Sequence, residues 1–550
     1  MVVRHFYFLG EPPSSSRPLD VDPSSTFGQL QYLIAGFFAI VSPDGIALHC
    51  QAPLKRVPDV ISTNSPIAIS VDGRAIRDVP GPKGIPYIGN YLEIYPDHLG
   101  NHQRLFEHFG PIFQTHNFGR VVYHTNDPAL ASIAFSETGF FTKSINQSHP
   151  LHGIKNNDAG IFIGDTETDA WNMAHRFFPP AFSFKAVRHY APTIQAIVEE
   201  SFGIFDKLDC DARAWNVYHY MLKLACQQIG RLVLGKDLGH FSSVDAPLHE
   251  LVTLFGETLH LNKKVTYWGD WYAMLPFGDP KNLRHVRKHL DNLIELSIDS
   301  AESGGVEKLS CEDAALKAAN IVDYAVRARD GKDQKLPRKN LIQGLEVIVG
   351  AGFTTTSSLL SWLVYSLVAY PGVQDRMLQE LVDHEIDETT PLTPDFIRKL
   401  SFLDNFLKET QRRHNPSYQP ARTAKFDLIL PGAFRVPKDT VIIPALHHIH
   451  NNPSMWDNPA SFQPDRWNIR ETKKRAKEAY IPFAAGPRMC IGYNLALQEV
   501  KIIMIKLVYR YRFTREGDGA IEYDPLHQVI VPTNLYVRAE RREKWPQKSN

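Results

Sequence analysis

Phe483-Ala484-Ala485-Gly486-Pro487-Arg488-Met489-Cys490-Ile491-Gly492 is the stretch that decides how this chain reads. A lone cysteine in apolar surroundings is ordinarily an inert core residue. Cys226, in Met221-Leu222-Lys223-Leu224-Ala225-Cys226, is of that kind. Cys490 differs in its neighbours. Gly486 and Gly492 bracket it and let the backbone turn tightly and approach a flat ligand. Pro487 stiffens that turn and removes a donor. Arg488 sets a fixed cation near the sulfur. A helical pattern, Asn494 to Tyr509, begins just afterwards, and N–H groups at a helix start favour thiolate over thiol.

Around this loop the chain is an ordinary enzyme in bulk. It has 550 residues, 43% of them hydrophobic and 22% charged, which is ample for one large core. Lys+Arg and Asp+Glu both number 60, so no global field points to nucleic acid. The cysteines Cys50, Cys210, Cys226, Cys311 and Cys490 form no C-x-x-C pair. Their odd number and wide spacing argue against a zinc site and against a secreted disulfide framework, and point to a reducing compartment. The longest early apolar run, Tyr32 to Val41, is about half of the ~20 residues needed to span a bilayer. It reads as a buried or interfacial segment, with a shallow membrane anchor as the alternative.

Residues 1–79 carry Ser/Pro clusters and no long periodic segment, and read as a poorly ordered or peripheral extension. The character changes at Pro80-Gly81-Pro82-Lys83-Gly84-Ile85-Pro86, which opens a compact domain over 80–550. That domain is mainly α. Ile194 to Phe205 and Val217 to Leu234 have helical periodicity. Asn340 to Tyr370 is apolar almost all round, so it should run through the middle of the fold and end at Pro371. A smaller β region is expected from Val121 to His124, Thr440 to Ile443 and Gln528 to Val531.

Three further patterns stand in order along the chain. Trp171 and His175 lie one helical turn apart and can point together. Gly350-Ala351-Gly352-Phe353-Thr354-Thr355-Thr356 should interrupt the long central helix, because two glycines weaken it and threonine hydroxyls back-bond to the previous turn. The bland reading of those glycines is close packing of a neighbouring helix. Glu409 and Arg412 share a helix face, a pattern that by itself usually marks a solvated surface pair.

Taken together the patterns resemble the cytochrome P-450 family. The cysteine loop is similar to its haem-binding loop, F-x-x-G-x-R-x-C-x-G, at every fixed position: Phe483, Gly486, Arg488, Cys490 and Gly492. The resemblance covers about residue 80 to 550 and implies that family's mainly α fold, with a long central helix over the haem. It implies haem b bound through Cys490, whose thiolate pushes electron density toward bound oxygen and favours O–O cleavage. Trp171, His175, Arg488 and Arg422 become the expected propionate partners. Glu409 and Arg412, with Arg466 of Phe462-Gln463-Pro464-Asp465-Arg466-Trp467, match a buried structural triad. Ala351, Gly352, Thr354 and Thr355 match the oxygen-activation segment, but Thr354 stands where the family keeps an acid, which puts the route of its proton relay in doubt.

The activity so implied is insertion of one oxygen atom of O2 into a lipophilic small molecule. Fungal secondary metabolism is the favoured setting and fatty-acid hydroxylation the alternative. A reductase-independent isomerase or dehydratase and a non-catalytic haem sensor are the other classes. The short tail after Gly492 and the lack of a G-x-G-x-x-G after a strand imply NADPH electrons through a separate cytochrome P-450 reductase. The resemblance also implies an intracellular protein at the endoplasmic reticulum surface with peripheral membrane contact. The substrate pocket is expected near Ile161 to Ile163, Leu345 to Phe353, Pro416 to Ala421 and Val529 to Pro532.

Overall fold

The computed structural model describes residues 1–137, 139–268, 270–304, 307–417, 420–468, 475, 477–524 and 529–549. It holds two compact units. One comprises 1–95, 99–149 and 421–445; the other comprises 96–98, 150–420 and 446–550.

The first unit corrects the reading of residues 1–79 as poorly ordered. Strands β1 (Val2–Phe8), β2 (Arg17–Val21), β3 (Ile46–Cys50), β4 (Ala52–Leu54) and β5 (Ile67–Val71) form a sheet in the order β2-β1-β5-β3-β4. β1 and β5 run parallel at its centre, flanked by the hairpins β1–β2 and β3–β4. Helix α1 (Phe27–Phe38) completes a β-grasp arrangement. Thr26 and Gln29 start the helix with a reciprocal cap: Gln29 N donates to Thr26 Oγ1 at 3.2 Å and Thr26 N donates to Gln29 Oε1 at 2.8 Å. Its buried face, Leu30, Ile34, Ala35 and Phe38, shares a core with Phe6, Phe8, Leu48, Ile67, Ile69 and also Ile429 and Ala433. Each such large side chain contributes about 1.5–3 kcal/mol on burial. The apolar run from Tyr32 is therefore half of an amphipathic helix, with Tyr32, Leu33 and Phe37 exposed.

The same unit carries a second five-stranded sheet. Its strands are Ile112–Asn117, Arg120–Thr125, Val441–Pro444, Arg422–Ala424 and Phe141–Thr142, in that spatial order. Two of them coincide with strands expected from β-branched runs.

The second unit is mainly helical. Its principal helices are α2 (Asp169–Phe177), α3 (Phe184–Cys210), α4 (Val217–Leu234), α5 (Glu250–Trp268), α6 (Gly278–Ser303), α7 (Arg338–Ala369), α8 (Ser401–Arg413) and α9 (Tyr493–Arg510). α7 is the expected central helix. By length and composition it is the one helix among the described residues apolar enough to cross a membrane, yet 72% of its most apolar window is buried inside the protein. It is not interrupted at Gly350 to Thr356. Thr354 Oγ1 donates to Gly350 O and Thr355 Oγ1 to Ala351 O, each at 2.8 Å, so the hydroxyls follow the helix instead of breaking it.

The third expected strand is not seen among the described residues. Gln528 lies outside the described residues, and Val529 to Val531 form no strand. The Ile530 carbonyl is instead taken by two donors from α7, Ser358 Oγ at 2.6 Å and Trp362 Nε1 at 2.9 Å.

Behind α7, the fully buried Glu409 carboxylate collects five donors. Arg412 grips it with Nε at 2.9 Å and Nη2 at 2.8 Å. Arg466 Nε donates at 3.0 Å, Gln463 N at 2.9 Å and Trp467 Nε1 at 3.0 Å. Burial alone would raise this carboxyl, but the bonds and charges of Arg412, Gln463 and Arg466 outweigh it and hold the group below its usual range. The remaining guanidinium protons go to carbonyls of His450, Ser461, Asp457 and Asn458.

Two outcomes are expected. Arg412→Ala leaves Glu409 buried without its bidentate partner and should destabilise the protein by about 3–5 kcal/mol, read as a lowered midpoint in urea unfolding. Nearby, burial and the charges of Arg412 and Arg413 press His414 down to about 3, and His450 likewise falls to about 3. Unfolding raises these imidazoles to their ordinary value and lets them take up protons. Stability should therefore fall progressively as pH drops from about 6.5 toward 3. His414→Phe should flatten part of that slope in urea titrations, while an unchanged slope would exclude His414 as a contributor.

Candidate active site

The cysteine loop is a turn pinned by its own backbone. Cys490 N donates to Phe483 O at 3.1 Å and Met489 N to Gly486 O at 3.0 Å. Gly486 has φ +72°, a conformation open to glycine and strained for other residues, and Gly486–Arg488 make one 3₁₀ turn. Gly492 caps α9, which starts at Tyr493 as the helical pattern required.

The thiol sits deep in the second unit, where burial raises its pKa, and the Gly492 N–H donates to the sulfur and favours the thiolate. Cys490 nevertheless keeps an exposed surface. The residue is thus surrounded by protein yet keeps accessible surface. Cys226, in contrast, is closed in on all sides, and burial drives its pKa far up.

Arg488 ties the loop to the neighbouring turn. Its Nη2 donates to the carbonyls of Phe162 at 3.0 Å and Gly164 at 2.9 Å, and its guanidinium lies 5.4 Å from the Trp171 ring centre. α2 positions that ring: Thr168 caps the helix through Trp171 N at 3.2 Å. Trp171 and His175 are packed with ring centres 4.8 Å apart. Burial and the Arg488 charge lower the His175 pKa, and its ring N–H donates to the Pro487 carbonyl. The structure thus brings Trp171, His175 and Arg488 together beside the cysteine loop. Arg422 belongs to the first unit, where it is buried and ion-paired with Glu137 at 2.7 Å.

On α7, the two glycines serve packing. A Cβ on Gly350 would stand 2.6 Å from Phe255 of α5, and one on Gly352 would stand 2.7 Å from Ile229 of α4. Ala351, between them, is exposed in the middle of a helix that is otherwise buried. Of the remaining expected pocket residues, Ile163, Leu345, Val349, Phe353, Ile530 and Val531 are buried, Phe162 is exposed, and Tyr418 and Gln419 lie outside the described residues.

These features are those a haem-thiolate site requires: a bare, N–H-supported sulfur on one element, a bare small residue on a long helix, and an Arg–Trp–His group at the loop. The residues fit the cofactor.

Comparison with known proteins agrees. The family model for Cytochrome P450 matches residues 79–537. The chain is 47% identical to the cytochrome P450 monooxygenase alnD of Emericella nidulans over the whole of both chains. It is 26% identical to human cytochrome P450 4F8 over 62% of this chain and 67% of that protein. The crystal structure of the cytochrome P450DA heme domain superposes with a TM-score of 0.76 at 21% identity, covering 86% of this chain and 99% of that one, a likeness of fold. The chain belongs to the cytochrome P450 family and is a cytochrome P450 monooxygenase.

Proposed function

We propose that this monooxygenase inserts one atom of O2 into a lipophilic small molecule of fungal secondary metabolism, with Cys490 as the axial ligand of haem b. The observation that carries this reading is the Cys490 sulfur, bare inside the second unit and supported by the Gly492 N–H. Haem held there supplies O2 activation at an iron–thiolate centre.

The chain's own residues do the rest. Phe483, Gly486 and Gly492 shape the turn that leaves the sulfur uncovered. Trp171, His175 and Arg488 would hold the propionate edge. Ala351, small and exposed, would leave room on α7 for a flat ligand and O2 to lie against it, while Gly352 lets α4 pack close behind. Thr355 Oγ1 donates back to Ala351 O, which leaves its lone pairs free to accept a hydrogen bond from water. Thr354, in the place of an acid, carries hydroxyl-bound water in the same way. Largely apolar surroundings exclude bulk water and suit a lipophilic substrate.

Electrons come from NADPH through a separate cytochrome P450 reductase. Attachment to the endoplasmic reticulum surface is part of the same proposal. Trp268, Trp271, Met274 and Phe277 cluster along the chain with 46%, 62%, 75% and 63% of their surface exposed, an aromatic grouping suited to a lipid headgroup layer.

Two experiments test these statements. Incubation with reductase, NADPH, 18O2 and a panel of polyketides, terpenoids and fatty acids should yield a product carrying one 18O. Turnover without NADPH would instead favour a haem-thiolate isomerase or dehydratase, the class that the missing acid at Thr354 would suit. Trp271→Ser combined with Phe277→Ser should move the protein from sedimented phosphatidylcholine vesicles to the supernatant; unchanged sedimentation would exclude this patch as the contact.

A further inference from the structure

The acid missing at Thr354 directs attention to the carboxyl groups elsewhere on α7. One, Glu346, is 5% exposed and two turns before Thr354. Its Oε2 is buried and meets no hydrogen-bond donor. What it meets, across the contact between α7 and α6, is another carboxyl group, Asp291, with which it interacts by charge and by a side-chain hydrogen bond. Two carboxylates accept and neither donates. A hydrogen bond between them requires one proton. Burial, the first cause, and the Asp291 charge raise the Glu346 carboxyl to about 8, and burial also raises Asp291.

The pair is anchored on the Asp291 side. Gln343, one turn back on α7, donates Nε2 to Asp291 Oδ1, and its Oε1 accepts from Asn156 Nδ2 at 2.5 Å. Asn156 also receives the turn that follows it, since its N–H donates to Ile163 O at 3.0 Å. The next carbonyls of this turn, Phe162 and Gly164, are those that hold Arg488. Hydrogen bonds thus run from Asp291 through Gln343 and Asn156 to the Ile163 carbonyl, and one backbone step on either side of Ile163 leads to the carbonyls that hold Arg488 of the cysteine loop.

The charged groups around the pair are few. Arg287 of α6 acts on both acids and lowers them, while Glu295 of α6 raises Asp291. At the start of α7, Arg338 is engaged by Glu295 at 3.2 Å and by Glu302 at 3.0 Å, as well as by Asp299. Lys339 is engaged by Asp158 at 2.6 Å. No described cation forms a salt bridge with Glu346 itself.

We propose that Glu346 and Asp291 are positioning residues that form a proton-sharing latch, in which the Glu346 O–H donates to the Asp291 carboxylate and so fixes α6 and the Asn156–Gly164 turn against α7. Loss of the proton turns the bond into repulsion between two desolvated carboxylates, and the latch opens. Unfolded Glu346 would ionise near its ordinary value, below the folded one. The latch therefore stabilises most at low pH, and its contribution declines as pH rises through about 8. Its effect on the reaction rests on the monooxygenase reading, but its existence does not.

Infrared spectroscopy and hydrogen exchange on the haem-loaded full chain test the latch without substrate. At about pH 6.5 the wild type should show a buried carboxylic-acid C=O band that is lost by about pH 9.5, and amides near Asp291 in α6 should lose protection by up to roughly tenfold per pH unit as pH rises from about 4.5 to about 8, with no further loss above that. Glu346→Gln supplies a permanent donor. It should remove the Glu346 component of the band, leaving that of the buried Glu499 carboxyl, also raised to about 8, while keeping α6 protected at both pH values, an outcome that a merely structural role would not give. Asp291→Asn should likewise remove the pH-dependent loss and serves should Glu346→Gln not fold. Absence of the Glu346 component from the wild type at about pH 6.5, or an unchanged loss of α6 protection with rising pH in both variants, would overturn the latch. A failure of the haem-thiolate reading would appear separately, in the visible spectrum of the wild type.

Discussion

A sulfur atom left bare inside packed protein is the constraint on which the site depends. Protein interiors close around side chains to near-crystalline density, as they do around Cys226. Cys490 stays uncovered because its turn is held from below and from the side. Gly486 takes a positive φ, the Phe483 carbonyl receives Cys490 N, and Gly492 directs its N–H at the sulfur before α9 begins. Arg488 ties the loop to the Phe162–Gly164 turn and to the ring of Trp171, so the cation acts as a strut, with its charge also felt at His175.

The supporting framework lies behind that loop. Glu409 would be ruinous in the core as an isolated charge, and the protein answers with five donors from two segments, α8 and residues 463–467. Two observations there add to the expected triad. Arg466 reaches Glu409 through Nε alone and spends its other protons on carbonyls. Trp467 takes part as well, because its indole N–H completes the carboxylate's bonding.

Much of this was legible in the residues, and where it was not the reasons are physical. The cysteine loop and the α2 and α8 motifs are local, so residue spacing alone carries them. α7 was legible as a helix because it is apolar on every side, but its glycines misled. Read as a break, they are sites where Phe255 and Ile229 come too close for a Cβ, a tertiary fact with no local signature. The β-grasp sheet was hidden for a similar reason. Its central pair, β1 and β5, joins residues some sixty positions apart, and its strands are short. One local signal was present: Thr26-x-x-Gln29 before an apolar run is a helix start. The Glu346–Asp291 pair could not be anticipated, since only the folded contact between α6 and α7 brings two acids together.

The central claim is that Cys490 ligates haem iron as a thiolate. Its most direct test is the absorption spectrum of purified protein, reduced with dithionite under carbon monoxide, beside that of Cys490→Ala. The account predicts the Soret position that gives the family its name in the wild type and its loss in the variant. A wild-type band at the position of haem with a neutral axial ligand, or the same band in both proteins, would contradict it.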